Sequence, residues 1–300
     1  MRASAPKRWL RNLMRRSISK MKIALLPNLE KEGALDCAQN INRILREAGH
    51  SVYIHKKQAG YFDNVNLCEH HFELAEFCDV FVTVGGDGTI IHAAKHAAAF
   101  NKPILGVNMG RVGYLAGIEK EDIEHIPGII AGNCLSEERR MLKVEVNGKP
   151  LPYLALNEGV ISGELTKIMD FVVSVDGEGK YEHRCDALIV ATPTGSTAYS
   201  LAAGGPIVDP KLNCMIFTPV CPFSLYDRSV IYGEGTSLEI RLRCDYHGKV
   251  YLTVDGNAPV QLKDTDVIRF SIAERRVKLL KYDRKSFYDV VNRKLVNNNK

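Results

Sequence analysis

Seven consecutive residues, Thr83-Val84-Gly85-Gly86-Asp87-Gly88-Thr89, carry the sharpest chemical signal in the chain. They follow a β-branched apolar run at 79–84 and precede an alanine-rich run at 89–100. Three glycines permit positive φ angles and close approach of backbone to a ligand. A helix opening here offers free N–H groups and partial positive charge, which suits phosphate or ribose oxygens. A carboxylate placed like Asp87 can accept a hydroxyl proton during phosphoryl transfer. The same residues also fit an ordinary strand–turn–helix corner with aspartate as a local cap. The run is not a P-loop, because no Gly-Lys-Ser/Thr follows, and it is not Gly-x-Gly-x-x-Gly.

A second run, Thr192-Pro193-Thr194-Gly195-Ser196-Thr197-Ala198-Tyr199-Ser200, follows the apolar segment 188–191. Five of its nine residues carry Ser or Thr hydroxyls and a sixth is tyrosine. It again presents a helix start to a ligand, and the small residues Ala202-Ala203-Gly204-Gly205 would let a flat ring approach the backbone. An ST-turn capping a short helix explains the same pattern. Asn157-Glu158 ends an apolar stretch and Asp186 interrupts another. Half-buried carboxylates need partners, which ribose hydroxyls, a cationic ring, an arginine or backbone amides would supply. Cys68-Glu69-His70-His71 and the pair His92/His96 lack a second ligand pair at zinc spacing, so no metal site is expected from them.

Regular elements must hold these residues in place. Segments 22–27, 51–55, 79–84 and 103–107 read as strands, and 36–49 and 89–100 as helices. Their alternation argues a parallel sheet with crossover helices. From Met141 onward short β-rich segments dominate: 142–146, 154–156, 171–175, 188–191, 215–218, 238–244, 250–254 and 267–271. Asn147-Gly148, Asp176-Gly177 and Asp255-Gly256 punctuate them as turns. The expected fold is an α/β, Rossmann-like N-terminal domain followed by an all-β, sandwich-like C-terminal domain. The division reads as a basic, disordered extension over 1–20, an α/β domain over 21–125, a β-rich domain over 126–272, and a segment over 273–300 that packs back on the first domain.

Seven positive charges and no acid fall within residues 1–20, so the net charge of +5 becomes −2 for the remainder. The body carries no basic patch of the kind a nucleic-acid binder needs. No apolar run approaches the roughly 18 residues of a membrane span. Eight cysteines without a Cys-x-x-Cys pair fit a reducing compartment, hence the cytoplasm.

The ordered set 85–89, Asn157-Glu158, Asp186 and 192–205 resembles the NAD kinase family. Asn108-Met109-Gly110 and Gly113-Tyr114-Leu115 resemble the family's segment after its glycine turn. The run TPTGSTAYSLAAGGP is the specific element, whereas lipid kinases and phosphofructokinases share similar glycine turns. The resemblance spans about residues 21–283. It implies transfer of the ATP γ-phosphate, with a divalent cation such as magnesium, to the 2′-hydroxyl of the adenosine ribose of NAD. It implies Asp87 as the base, with Gly88 beside it, and Asn157 and Glu158 holding the adenosine half. Thr194, Thr197, Ala198, Tyr199, Ser200, Leu201 and Ala202 match the stretch lining the NAD pocket. Asp186 matches an acid near the nicotinamide or a neighbouring subunit, and His92 and Lys167 match basic or polar contacts. Asn257 stands where the family commonly has Gln, and Ala187 where it has Gly. Homodimers or homotetramers are implied.

Overall fold

The computed structural model describes residues 20–297, apart from 111–112, 165–166, 244–247 and 283–285. The basic extension therefore lies, but for Lys20, outside the described residues.

The first half builds strands β1 (Lys22–Pro27), β2 (Ser51–His55), β3 (Asn66–Cys68), β4 (Val80–Gly85), β5 (Ile104–Asn108) and β6 (Ile118–Glu119). Helices α1 (Ala34–Glu47), α2 (His71–Phe77), α3 (Asp87–Ala97) and α4 (Ile126–Ile130) accompany them. The strands pair in parallel, in the order β5-β4-β1-β2-β3, with β6 beside β5. Alternation along each strand decides what covers which face. Ile23, Leu25, Val82 and Val84 meet the α1 stripe of Ala34, Cys37, Ala38, Ile41 and Leu45. Ala24, Leu26 and Phe81 turn to the other face, against Leu74 of α2 and Ile90, Ala93, Ala94 and Ala97 of α3. Gly49 closes α1 in a left-handed conformation, φ 88°.

The second half adds β7 (Leu135–Val146), β8 (Lys149–Pro150), β9 (Glu158–Gly163), β10 (Met169–Val175), β11 (Glu178–Cys185), β12 (Ala187–Ala191), β13 (Cys214–Val220), β14 (Val230–Gly233), β15 (Ser237–Leu242), β16 (Val250–Val254), β17 (Val260–Leu262) and β18 (Val267–Lys281). Helices α5 (Tyr199–Ala202) and α6 (Phe287–Asn297) are its helical parts. One sheet runs β14-β13-β12-β9-β16-β17, all antiparallel. It packs on β7, β10, β11, β15 and β18 around Ile161, Phe171, Leu188, Val190, Phe217, Leu252 and Phe270, which gives the expected sandwich.

Strand β18 joins the halves. Its first part pairs with β15, and Leu279 pairs in parallel with Ile104 of β5. The sheet of the α/β domain thus continues into the β domain. Sequence reasoning ended this strand near Ser271, because Glu274-Arg275-Arg276 obscures the alternation. Those three residues face solvent, while Val277 and Leu279 are buried. Segment 154–156, expected as a strand, contributes only an isolated bridge from Ala155 to Leu142.

Candidate functional site

The chain runs from β1 outward through β2 to β3, then returns to β4 on the opposite side of β1. The carboxyl ends of β1 and β4 therefore form the point where strand order reverses, and ligands of open α/β sheets bind there. The glycine turn occupies that point. Gly85 must lack a side chain, because a Cβ would sit 2.2 Å from Thr89 Oγ1 and 3.3 Å from Asn28 Cβ. Gly86 is the N-cap of α3 and supplies no side-chain bond; the Thr89 N–H donates to the Gly86 carbonyl at 3.0 Å, which leaves the amides of Asp87 and Gly88 to meet a ligand.

Asp87 opens α3 but does not cap it. Its Oδ2 accepts from the Tyr114 N–H at 2.8 Å and its Oδ1 from the Leu115 N–H at 3.1 Å. A Cβ on Gly113 would lie 2.4 Å from Oδ1, so the 113–115 backbone closes directly over the carboxylate. An open cleft of 690 Å³ beside the turn is lined by two lysines, Lys31 and Lys120, and by two acids, Glu32 and Glu121, with Cys37 and Met109. A cavity of 340 Å³ on the other side is lined by Pro27, Asn28, Gln58, His71, Gly88, Thr89 and His92.

His92 belongs to a group of imidazoles that the sequence did not reveal. The His71 ring lies 4.8 Å from that of His55, 5.2 Å from His92 and 5.5 Å from His96. Burial first, then the neighbouring positive charges, pushes His71 and His96 down to about 4, which keeps both neutral at neutral pH. Among the described residues, no group of three or more His, Cys, Asp or Glu is arranged to hold a metal ion.

The second constellation lies where β9 starts and where β12 and β16 end. Thr192 ties it together: its N–H donates to the Asn157 carbonyl at 2.8 Å, and its Oγ1 donates to the Leu156 carbonyl at 2.6 Å. The same Oγ1 accepts from the Gly195 N–H. A Cβ on Gly195 would fall 2.2 Å from the Asn157 carbonyl oxygen, so only glycine allows this approach. Thr194 and Ser200 are buried, Thr197, Ala198 and Leu201 half-buried, and Tyr199 and Ala202 exposed. Ser200 Oγ lies 3.0 Å from Thr218 Oγ1 in the interior, so its hydroxyl serves packing there.

Asp255 is the residue that sequence reasoning missed. Its sequence context, Asp255-Gly256, reads only as a turn, and it does adopt φ 47° beside Gly256 at 67°. Its carboxylate also accepts three amides: Leu156 at 2.6 Å, Asn157 at 2.8 Å and Glu158 at 3.0 Å. An acid in a left-handed turn, just past a buried strand and two residues before Asn257, was the available signal. Beside it the Glu158 Oε2 is buried without a hydrogen-bond partner. Burial, then the Asp255 charge, pushes the Glu158 carboxyl up to about 8.

Asn257 links the two constellations. Its Oδ1 accepts from Lys95 Nζ at 2.7 Å, and Lys95 lies on α3, two turns beyond Asp87. Asp186 is not brought into this cluster. It precedes β12, exposed, at the end opposite Thr192 and roughly 20 Å along the strand. Lys167, also exposed, follows β9 at that far end.

The profile of the ATP-NAD kinase N-terminal domain matches residues 23–133, and that of the ATP-NAD kinase C-terminal domain matches 156–282. An NAD kinase of Symbiobacterium thermophilum is 37% identical over 279 residues, covering 91% of this chain and 98% of the relative. A crystal structure of an NAD kinase from Archaeoglobus fulgidus in complex with ATP superimposes with a TM-score of 0.72 at 27% identity, covering 90% of this chain and 99% of that one. Yeast NADH kinase complexed with NADH shares the fold, with a TM-score of 0.84 at 22% identity over 94% of this chain and 89% of that one. With both domain profiles matched and relatives aligned along nearly their whole length, the chain belongs to the ATP-NAD kinase family.

Proposed function

We propose that this chain transfers the γ-phosphate of ATP to the 2′-hydroxyl of the adenosine ribose of NAD, giving NADP and ADP, with Asp87 as the general base. The observation that carries this reading is the clamped Asp87 carboxylate at the strand-order switch, on the same helix whose Lys95 holds the Asn257 turn. The 2′-oxygen attacks the γ-phosphorus, the bond to the β,γ-bridging oxygen breaks, and the hydroxyl proton passes to Asp87.

Gly88 and the first amides of α3 would face phosphate oxygens, and Lys31, whose Nζ reaches the Gly85 carbonyl at 3.4 Å, would meet triphosphate charge, while Lys120 in the adjoining cleft pairs with Glu121. ATP arrives with a divalent cation, magnesium by preference, which screens that charge. Asn157, Glu158, Thr194, Thr197 and Ala198 would hold the adenosine half, with exposed Tyr199 as a stacking surface. Asp186 and Lys167, at the far end of the sheet, would face a neighbouring copy in a homodimer or homotetramer. The exposed apolar residues Phe223, Leu225, Tyr226, Val230 and Ile231 support such an assembly. Seven free cysteines among the described residues, with no helix there long and apolar enough to cross a membrane, fit a cytoplasmic enzyme.

The test is an endpoint assay with ATP, magnesium and NAD, reading NADP with an NADP-specific dehydrogenase. Asp87→Asn keeps the shape but not the basicity, and NADP formation should fall by about 10²–10⁴-fold. Near-native turnover by that variant would refute the role given to Asp87.

A further inference from the structure

Two carboxyl groups share the start of β9, and the donors around them are unevenly divided. Burial raises the Asp255 carboxyl as well, but three backbone amides and Lys95, across the domain boundary, oppose that rise. Glu158 is given none of these donors, and its Oε2 is sealed from water with no partner. An ionised Glu158 would place a second negative charge in the same low-dielectric space without a cation or amide of its own, an arrangement that burial penalises heavily. Of the pair, Asp255 is equipped to be the anion and Glu158 to be the neutral acid.

We infer that Glu158 carries its proton in the working enzyme and binds the adenosine half of NAD as a hydrogen-bond donor, toward a lone-pair acceptor such as an adenine ring nitrogen, while Asp255 supplies the fixed negative charge that keeps it protonated. This rests on the reading of the site as an NAD pocket. A neutral acid offers one O–H donor, whereas a carboxylate only accepts. The site would therefore select for an acceptor on the ligand, and a ligand presenting only N–H or O–H groups at this position would bind poorly.

The groups facing Glu158 bear this out from each side. Asp255 approaches from the end of β16, and Lys95 from α3 lies behind it. Tyr153, on the segment before β9, is raised by burial and by Asp255, so it too stays neutral near pH 7. The Thr192–Gly195 stretch is uncharged. Burial and the Asp255 charge set the ionisation of Glu158 near 8, so donor capacity should be lost just above neutral pH.

The experiment measures KM for NAD at saturating MgATP from pH 6 to 9.5, together with NAD binding by calorimetry in the absence of ATP. Once Glu158 ionises, KM and the dissociation constant should rise about tenfold per pH unit, with kcat following a different profile. Glu158→Gln keeps an N–H donor that does not titrate, so the ratio of KM at pH 9 to KM at pH 7 should fall from about tenfold to near 1. Glu158→Met removes the donor, so KM should be high at every pH. Lys95 and Tyr153 also titrate on the alkaline side, and the glutamine variant separates them: a rise that survives in Glu158→Gln belongs to them and overturns the inference. A native KM flat through pH 8–9 overturns it equally. Failure of the native enzyme to form NADP at any pH would overturn the functional reading instead, a distinguishable result.

Discussion

Gly113→Ala tests how Asp87 is held without altering Asp87 itself. The new Cβ would stand 2.4 Å from Asp87 Oδ1 and 3.1 Å from its Cγ, about 1 Å inside ordinary contact. Gly113 does not occupy a left-handed conformation, so alanine is compatible with the backbone and the clash is the whole perturbation. The carboxylate must swing by about 1 Å, away from the amides of Tyr114 and Leu115 that now orient it. A displacement of that size at a reacting group costs about 10²-fold in rate. Two charge-accepting bonds weakened in a half-wet site should also cost about 1–3 kcal/mol of stability. The assay is steady-state NADP formation, with KM for NAD and kcat resolved separately, beside thermal unfolding of the same preparation. The expected outcome is a kcat reduced by one to two orders of magnitude, with KM for NAD shifted much less, in a protein that still folds. Native kcat in Gly113→Ala would refute the idea that the 113–115 backbone positions the base.

Two further expectations concern the other constellation. Glu158 has a folded ionisation raised from 4.5 to about 8, so both states are protonated below 4.5, and between these values only the unfolded chain ionises. Native stability relative to Glu158→Gln should therefore decline as pH rises through that window, by about 3 kcal/mol at pH 7 and at most about 5 kcal/mol above pH 8. Denaturant unfolding of both proteins at pH 5, 7 and 9 measures this, and a gap independent of pH would contradict it. Lys95→Met removes the charged donor to Asn257, so KM for NAD should rise about tenfold or more, the equivalent of 1.4 kcal/mol, as read in the same NADP assay. An unchanged KM would mean that the Asn257 turn is held without it.

Residues governed by local rules were legible in the sequence. The turn pairs Asn147-Gly148, Asp176-Gly177 and Asp255-Gly256 all adopt the paired left-handed angles that their types favour. The glycine turn and the TPTGSTAY run stand out because small and hydroxylated residues concentrate where chain segments approach closely, Gly85 against Thr89 and Asn28 and Gly195 against the Asn157 backbone. Long-range partnerships were not legible. Asp255 reaches amides 97–99 positions away, and nothing in its neighbours encodes that. The same partnership explains why 156–157 does not extend a strand backward from β9: the Leu156 N–H donates to Asp255 and its carbonyl accepts from Thr192. Strand β11 leaves no alternation in the sequence, because its side chains are nearly all exposed and burial imposes no pattern on them. The four imidazoles stand on β2, α2 and α3, and only the fold assembles them.

One helix sets the distance between the two constellations. Asp87 and Lys95 are eight residues apart on α3, about 12 Å along its axis. From Lys95 the connection passes through Asn257 to its neighbour Asp255, and from Asp255 to the amides of 156–158. Apart from the tight turn from Asp255 to Asn257, each step is a hydrogen bond between groups on or beside regular elements, with no long loop between them. A base and an acceptor hydroxyl must be aligned within a fraction of an ångström, and sites on helices and strands hold such tolerances better than sites on loops. The shared sheet through β18 and β5 adds a second, independent tie between the domains. Relative motion of the domains would have to strain both ties, the Lys95–Asn257 bond and the β18–β5 pairing, so the fold holds the two constellations in one fixed relation.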